Sequence, residues 1–197
     1  MCIICASPAG VRQPTISQIR TMFRNNPHGA GYMYARDGKV IIHKGFMNIG
    51  DLLESLKSEC FTPEDPVVYH FRISTQAGVS PEMTHPFPLT GRLDYTRKLD
   101  LTCGCGIAHN GIITITSDPD NRRYSDTAIF ITRYLSKMLK THSDLHDPEF
   151  LNRVWQLAQS KFAIMDGTGD IATVGKFVNS GGLLFSNMSY IDFYNIR

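Results

Sequence analysis

At 197 residues with 42% hydrophobic content, the chain is long enough to bury a core and short enough for a single domain over residues 1–197. Its 20 basic and 18 acidic residues leave a formal net charge of +2, too balanced to gather phosphates, so no nucleic-acid partner is expected. No stretch reaches the roughly 18 uninterrupted apolar residues of a membrane span, and the apolar start from Met1 to Ala6 is cut by Pro8 and Gly10, which predicts a cytoplasmic protein with no membrane partner.

The segment Cys2 to Ala6 reads as a buried strand that begins at the terminus itself. From Ile16, apolar Ile19, Met22 and Phe23 recur at helical spacing until Asn25, Asn26 and Pro27 stop the helix. Asp37-Gly38 suits a two-residue turn between strands Gly31 to Ala35 and Lys39 to Phe46. Asn48 is placed to cap a helix carrying Leu52, Leu53 and Leu56, and Pro66 opens the β-branched and aromatic run Val67 to Phe71. Gly78 to Thr102, with Pro81, Pro86, Pro88 and Gly91, predicts a long irregular connection.

Gly106 to His109 resumes a strand, and Ser125 caps a helix whose Ala128, Ile131, Leu135 and Met138 share a face. A second helix runs from about Pro148 to Gln159; strands follow at Phe162 to Met165, Ile171 to Val174 and Leu183 to Ser186. Strands and helices fall into blocks, which indicates α+β layers rather than a βαβ repeat.

Five cysteines is an odd count for a disulfide framework. The pairs Cys2 with Cys5 and Cys103 with Cys105 bring to mind a four-thiolate zinc site, but side chains three apart on a strand point to opposite faces. No metal and no other cofactor is expected.

Cys2 becomes the first residue once Met1 is removed. An α-amino group titrates near ~7.7–8.0, so it can take the thiol proton and make nucleophile and base one residue. Four further clusters follow: His70-Phe71-Arg72-Ile73-Ser74-Thr75, His85-Pro86-Phe87, His109-Asn110-Gly111 and Ser125-Asp126-Thr127. Arg72 closes a strand, where a guanidinium holds a carboxylate by two parallel hydrogen bonds. The Asn110 amide and the Gly111 backbone N–H form a donor pair for an oxyanion. Asp126, in the first turn of a helix, suits an ammonium. Each group also has a plainer reading: a buried thiol, a surface ion pair, a turn, and a carboxylate stabilising a helix start. Together they describe a site for a zwitterionic amino acid with a side-chain amide, a description that glutamine and asparagine both satisfy.

In the order of these motifs, together with Met1-Cys2 and Gly29-Ala30-Gly31-Tyr32, the chain resembles the class II glutamine amidotransferase domains of the N-terminal-nucleophile hydrolases. The resemblance implies a four-layer αββα sandwich and hydrolysis of glutamine, or of a related γ-glutamyl amide or peptide, through a Cys2 thioester. It also implies that Thr75 and the backbone at Gln76 help Arg72 hold the carboxylate and that His85 lies near the glutamine pocket. Gln76 departs from relatives that carry histidine there. No nucleotide signature such as a P-loop is present, so a separate synthetase subunit is expected to accept the ammonia. A silent regulatory subunit with the same fold is the alternative from another class.

Overall fold

In a computed structural model describing residues 1–74, 78–114, 120 and 123–192, the apolar start of the chain becomes β1 (Ile3–Ser7), buried at all five residues. It lies between β4 (Val67–Phe71) and β11 (Leu183–Phe185), antiparallel to both, with Ile4 opposite His70 and Cys5 opposite Phe185. A strand covered on both faces needs an unbroken apolar run rather than alternation, which is what Ile3 to Ala6 supply. β2 (Ala30–Arg36) and β3 (Lys39–Phe46) form a hairpin whose turn residues Asp37 and Gly38 have φ of +53° and +72°, the left-handed pair that matches strand twist. With β6 (Asp100–Cys103) beside β3 and β10 (Val178–Ser180) beside β11, seven strands run in the order β10-β11-β1-β4-β2-β3-β6. A second sheet has four antiparallel strands in the order β5 (Phe87–Pro88), β7 (Cys105–Asn110), β8 (Lys161–Asp166) and β9 (Ile171–Val174). The fold is mixed α+β with two antiparallel sheets.

The two-residue period of the strands sorts their side chains into separate cores. Ile3, Cys5, Tyr69 and Phe71 pack with Ile19, Met22 and Phe23 of α1 (Ile16–Asn25) and Leu52 of α2 (Ile49–Glu59). Their strand neighbours Ile4, Ala6 and Val68 join Met33 and Ile42 in meeting Ala108, Ala163 and Met165 of the second sheet. The other face of that sheet, with Ile107, Phe162 and Ile164, packs against Phe130, Leu135, Phe150 and Val154.

Capping fixes where the helices start. Thr15 and Gln18 form a reciprocal capping box on α1, a signal in the sequence that the periodicity alone did not reveal. The Asn48 side chain accepts the Asp51 N–H at 2.9 Å and starts α2, a contact typically contributing about 1 kcal/mol.

Two expectations are corrected in detail, and one strand is added to those expected. The helix after Ser125 is not continuous: α3 (Asp126–Phe130) passes into a π-turn over Ile131–Leu135 and then α4 (Ser136–Met138). Thr132 Oγ1 donates to Ala128 O at 2.8 Å and Ser136 Oγ to Thr132 O at 2.9 Å, so hydroxyls compete for helical carbonyls there. The segment Gly78 to Thr102 contains 3-10 turns at Pro81–Met83 and Asp94–Arg97, the two-residue β5 and most of β6, elements too short to leave a periodic signal. β10 is a short edge strand of polar character that joins β11 through Gly181 and Gly182, both at positive φ. The remaining helix, α5 (Pro148–Ala158), ends at Gln159 in the left-handed region. Among the described residues no helix is long and apolar enough to cross a membrane.

Between the sheets the middle of the layer is apolar. Continuing the alternation of each strand toward one end places Cys2 beyond Ile4, Arg72 beyond His70, Lys44 beyond Ile42, Asn110 beyond Ala108, Lys161 beyond Ala163 and Ser186 beyond Leu184. The layer therefore ends in polar, titratable groups contributed by both sheets.

Candidate active site

Cys2 stands just before β1 and is half-buried. Its Sγ lies 3.4 Å from Ile73 N, which donates to it, and 3.6 Å from Ile73 O, to which the thiol donates. Its carbonyl accepts the Asn187 amide N–H at 2.6 Å. The thiol is thus held from the end of β4 while its backbone is held from the residues after β11. Burial raises the Cys2 pKa, opposed by the Ile73 N–H and by the charge of Arg72. The resting sulfur is a thiol that needs a base, not a standing thiolate.

Arg72 adjoins Ile73 and is buried as a residue. Its backbone is pinned on both sides: Arg72 N–H donates to Gly29 O at 2.8 Å, and Arg72 O accepts from His28 N–H at 2.9 Å. His28 Nδ1 also accepts the Ser74 N–H at 2.9 Å. The guanidinium, by contrast, makes long contacts of 3.3 Å to Ser74 Oγ and 3.4 Å to Gly78 O. A fixed backbone with a loosely engaged five-donor head suits a group that waits for a carboxylate. Burial lowers the Arg72 pKa, while the Cys2 and Asp126 charges raise it, so the guanidinium lies within electrostatic reach of both.

Asn110 ends β7 and is buried. Its amide meets Ser186 Oγ at 2.8 Å through Nδ2, Ser186 Oγ accepts Ile4 N–H at 2.9 Å, and Asn110 Oδ1 is buried without a partner. Hydrogen-bond bookkeeping also admits the other amide orientation. Ser186 already accepts one N–H and has a proton to give, and Oδ1 is the acceptor that lacks one. Turned by half a rotation, Ser186 O–H would donate to Asn110 Oδ1, and the Nδ2 N–H groups would become the buried donors without a partner, as an oxyanion requires. Gly111 follows with φ of +152°, where a Cβ would come 2.4 Å from Ser160 Oγ. Only glycine fits, and the chain turns sharply after the Asn110 side chain.

Asp126 is the first residue of α3, behind the N-cap Ser125. Its Oδ2 accepts Ile113 N–H at 2.8 Å, and Oδ1 accepts Thr127 N–H at 2.7 Å and the Thr127 hydroxyl at 3.3 Å. The carboxylate thus ties the helix start to the segment leaving Gly111, with acceptor capacity left for a cation.

Behind this group three histidines are buried. His70 Nε2 donates to His109 O at 3.0 Å, His85 Nδ1 accepts His109 N–H at 3.2 Å, and His109 Nδ1 bonds Thr127 Oγ1 at 2.7 Å. The His70 and His85 rings stack at 4.3 Å. Burial pushes the His70 pKa down to about 3 and that of His109 to about 4, and lowers that of His85 strongly. All three are neutral at physiological pH. His85 sits against the strand carrying Asn110 and between His70 and Phe87, a bracing position. Thr75 and Gln76 lie outside the described residues.

The remaining thiols do not assemble with Cys2. Cys5 is in the core under α1, while Cys103 and Cys105 lie in β6 and β7. Burial raises all three thiol pKa values, that of Cys103 to about 11. Sequence reasoning missed Ser186 and Asn187. Ser186 was visible only as the end of an apolar strand, and its role depends on a partner 182 residues away. No protein-family model matches the chain, and no curated protein matches it.

Proposed function

We propose that the chain is a glutamine amidohydrolase of the class II amidotransferase type, with Cys2 as its N-terminal nucleophile. The observation that carries the reading is the grouping of a half-buried thiol, a buried guanidinium, an amide donor and a helix-start carboxylate at the polar end of the layer between the sheets. Three apolar cores, one between the sheets and one outside each, support the four-layer αββα sandwich that goes with it.

The chemistry follows from the charges. Arg72, with Thr75 and the Gln76 backbone, takes the α-carboxylate of glutamine, and Asp126 takes its α-ammonium. The free amine of Cys2 accepts the thiol proton, and sulfur attacks the side-chain amide carbon. Asn110 Nδ2 and Gly111 N–H hold the oxyanion. Collapse breaks the C–N bond, the amine returns its proton to the leaving nitrogen, and ammonia departs from a Cys2 thioester. Water, deprotonated by the same amine, hydrolyses the thioester to glutamate and thiol. The ammonia serves a synthetase subunit acting in the cytoplasm.

The mechanism requires loss of Met1, because an acylated Cys2 nitrogen cannot act as a base. Intact mass, glutaminase turnover and labelling by a glutamine analogue with an electrophilic side-chain carbonyl test it together. The expected result is Met1-free protein that is active and labelled on Cys2 alone. Full activity with Met1 retained, or labelling on Cys5 or Cys105, overturns it. Faster turnover of a γ-glutamyl peptide than of glutamine would reassign the substrate while keeping the nucleophile.

A further inference from the structure

At the opposite end of β7 and β8 lies a second group of ligating side chains. Asn110 pairs with Lys161 at the candidate active site, and Cys105 pairs with Asp166 at the far end; five residue steps along the strand set them roughly 17 Å apart. There a 3-10 turn, His142–His146, faces the connection between β8 and β9. Asp170 Oδ2 lies 3.1 Å from His146 Nε2 and 3.5 Å from His142 Nε2. The donor atoms of His142, His146 and Asp170 all lie within 4.8 Å of one another, the one such cluster among the described residues.

The two carboxylate-to-imidazole separations are close to those of a first coordination sphere, and the imidazole nitrogens, within 4.8 Å of each other, would close onto an ion. Tetrahedral bonds of ~2.0–2.2 Å to nitrogen and oxygen set ligand atoms about 3.3–3.5 Å apart. The other ring nitrogen of His142, Nδ1, hydrogen-bonds Asp166 Oδ2. A carboxylate on the distal nitrogen is what orients a ligating imidazole and fixes its tautomer. Asp166 is itself held, its Oδ1 accepting Thr168 N–H at 3.0 Å and Thr168 Oγ1–H at 2.7 Å. The turn bearing the histidines is held too: Asp144 Oδ2 accepts Lys140 N–H and Thr141 N–H, each at 2.8 Å. Beside His142 opens a cavity of about 400 Å³, lined also by Lys140, Leu145, Asp166 and Thr168.

The geometry points to a divalent transition-metal site, with Zn²⁺ as the fitting ion, formed by His142, His146 and Asp170 and oriented by Asp166. Two imidazoles and one carboxylate are borderline donors, which suit Zn²⁺ and its neighbours rather than Mg²⁺ or Ca²⁺. The ion staples the connection between α4 and α5 to the β8–β9 turn. This assignment is independent of the glutaminase reading.

Chelator-treated full-length chain titrated with Co²⁺ is expected to develop visible d–d absorption at one equivalent, without a thiolate charge-transfer band, and to lose it when Zn²⁺ displaces the cobalt. His146→Ala and Asp170→Asn should abolish the band while far-UV dichroism is unchanged, since both side chains are exposed. Asp166→Asn should weaken Co²⁺ binding about 10–100-fold. Zn²⁺ should raise the Tm of the parent chain and not of His146→Ala. An imidazolium held between two carboxylates would make the same contacts without metal. Absence of the cobalt band, its persistence in His146→Ala or Asp170→Asn, or a thiolate signature overturns the site.

Discussion

The Asn110 amide and the Ser186 hydroxyl meet at 2.8 Å across 76 residues of sequence, and through Ile4 N–H the same hydroxyl joins the second sheet to β1. If Ser186 sets the Asn110 rotamer, Ser186→Ala should lower turnover of glutamine with little change in KM, and Ser186→Thr should recover part of the rate. The loss should be smaller than that of Asn110→Ala, where removing an oxyanion donor costs ~10²–10³ in rate. Steady-state kinetics of the three variants decide it. A Ser186→Ala enzyme with normal kcat would detach that residue from the site.

Arg72→Lys retains the charge and loses the planar fork. Its expected signature is a higher KM for glutamine, by about tenfold or more, with a smaller effect on kcat, because the point charge keeps one of two parallel charge-assisted hydrogen bonds and the lost one is worth roughly 1.5–3 kcal/mol. A glutamine analogue lacking the α-carboxylate should bind the two proteins equally. Unequal binding of that analogue would move Arg72 away from the carboxylate.

Gly111→Ala should be costly for two separable reasons. The residue has φ of +152° and an added Cβ would lie 2.4 Å from Ser160 Oγ, and Ser160 is buried with its hydroxyl donating to Ile112 O at 3.3 Å. A destabilisation of about 1–3 kcal/mol is expected. Urea unfolding of Gly111→Ala and of Gly111→Ala with Ser160→Gly tests this: the second change removes the clash but not the backbone strain, so recovery should be partial.

The parts of the fold that were legible in the sequence are those with local causes. The Asp37-Gly38 turn, the Asn48 cap and the apolar run of β1 each carry their reason within a few residues. What was not legible depended on distant partners or on competition inside an element. β10 has meaning only beside β11, the π-turn follows from Thr132 and Ser136 bonding carbonyls behind them, and Ser186 matters through Ile4 and Asn110. The candidate site was readable as residue types in order. Its electrostatic linkage was not, since the influence of Cys2 and Asp126 on Arg72 comes from three separate chain segments meeting. The His142 and His146 cluster was passed over because its carboxylates lie beyond α5 in sequence.

The buried histidines predict how stability depends on pH. Burial lowers the pKa of His70 to about 3 and of His109 to about 4, with His85 lowered strongly as well, whereas an unfolded histidine titrates near ~6.5. Below ~6.5 the unfolded chain therefore takes up protons that the folded chain refuses, and stability falls as pH falls toward the folded values. Asp65 and Asp166 also have lowered pKa values, Asp65 chiefly through its hydrogen bond from Thr62 and Asp166 through bonds from Thr168 and His142 that outweigh burial. Their contributions are lost only as pH falls through the carboxylate range near ~3.9, a lower window. His142 has the opposite sign: its pKa is raised by the hydrogen bond to Asp166, so its contribution is present at low pH and lost as pH rises, and its exposure keeps it small. Burial depresses the Lys44 pKa, which adds stability as pH rises toward ~10.4. Urea midpoints at about pH 7 and about pH 5 should differ, with each buried histidine contributing at most about 2 kcal/mol over that interval. His70→Gln and His109→Gln should flatten the dependence whatever they do to stability at pH 7, and Lys44→Met should leave the acid limb in place. A parent chain equally stable at both pH values would mean that these rings take up protons without unfolding.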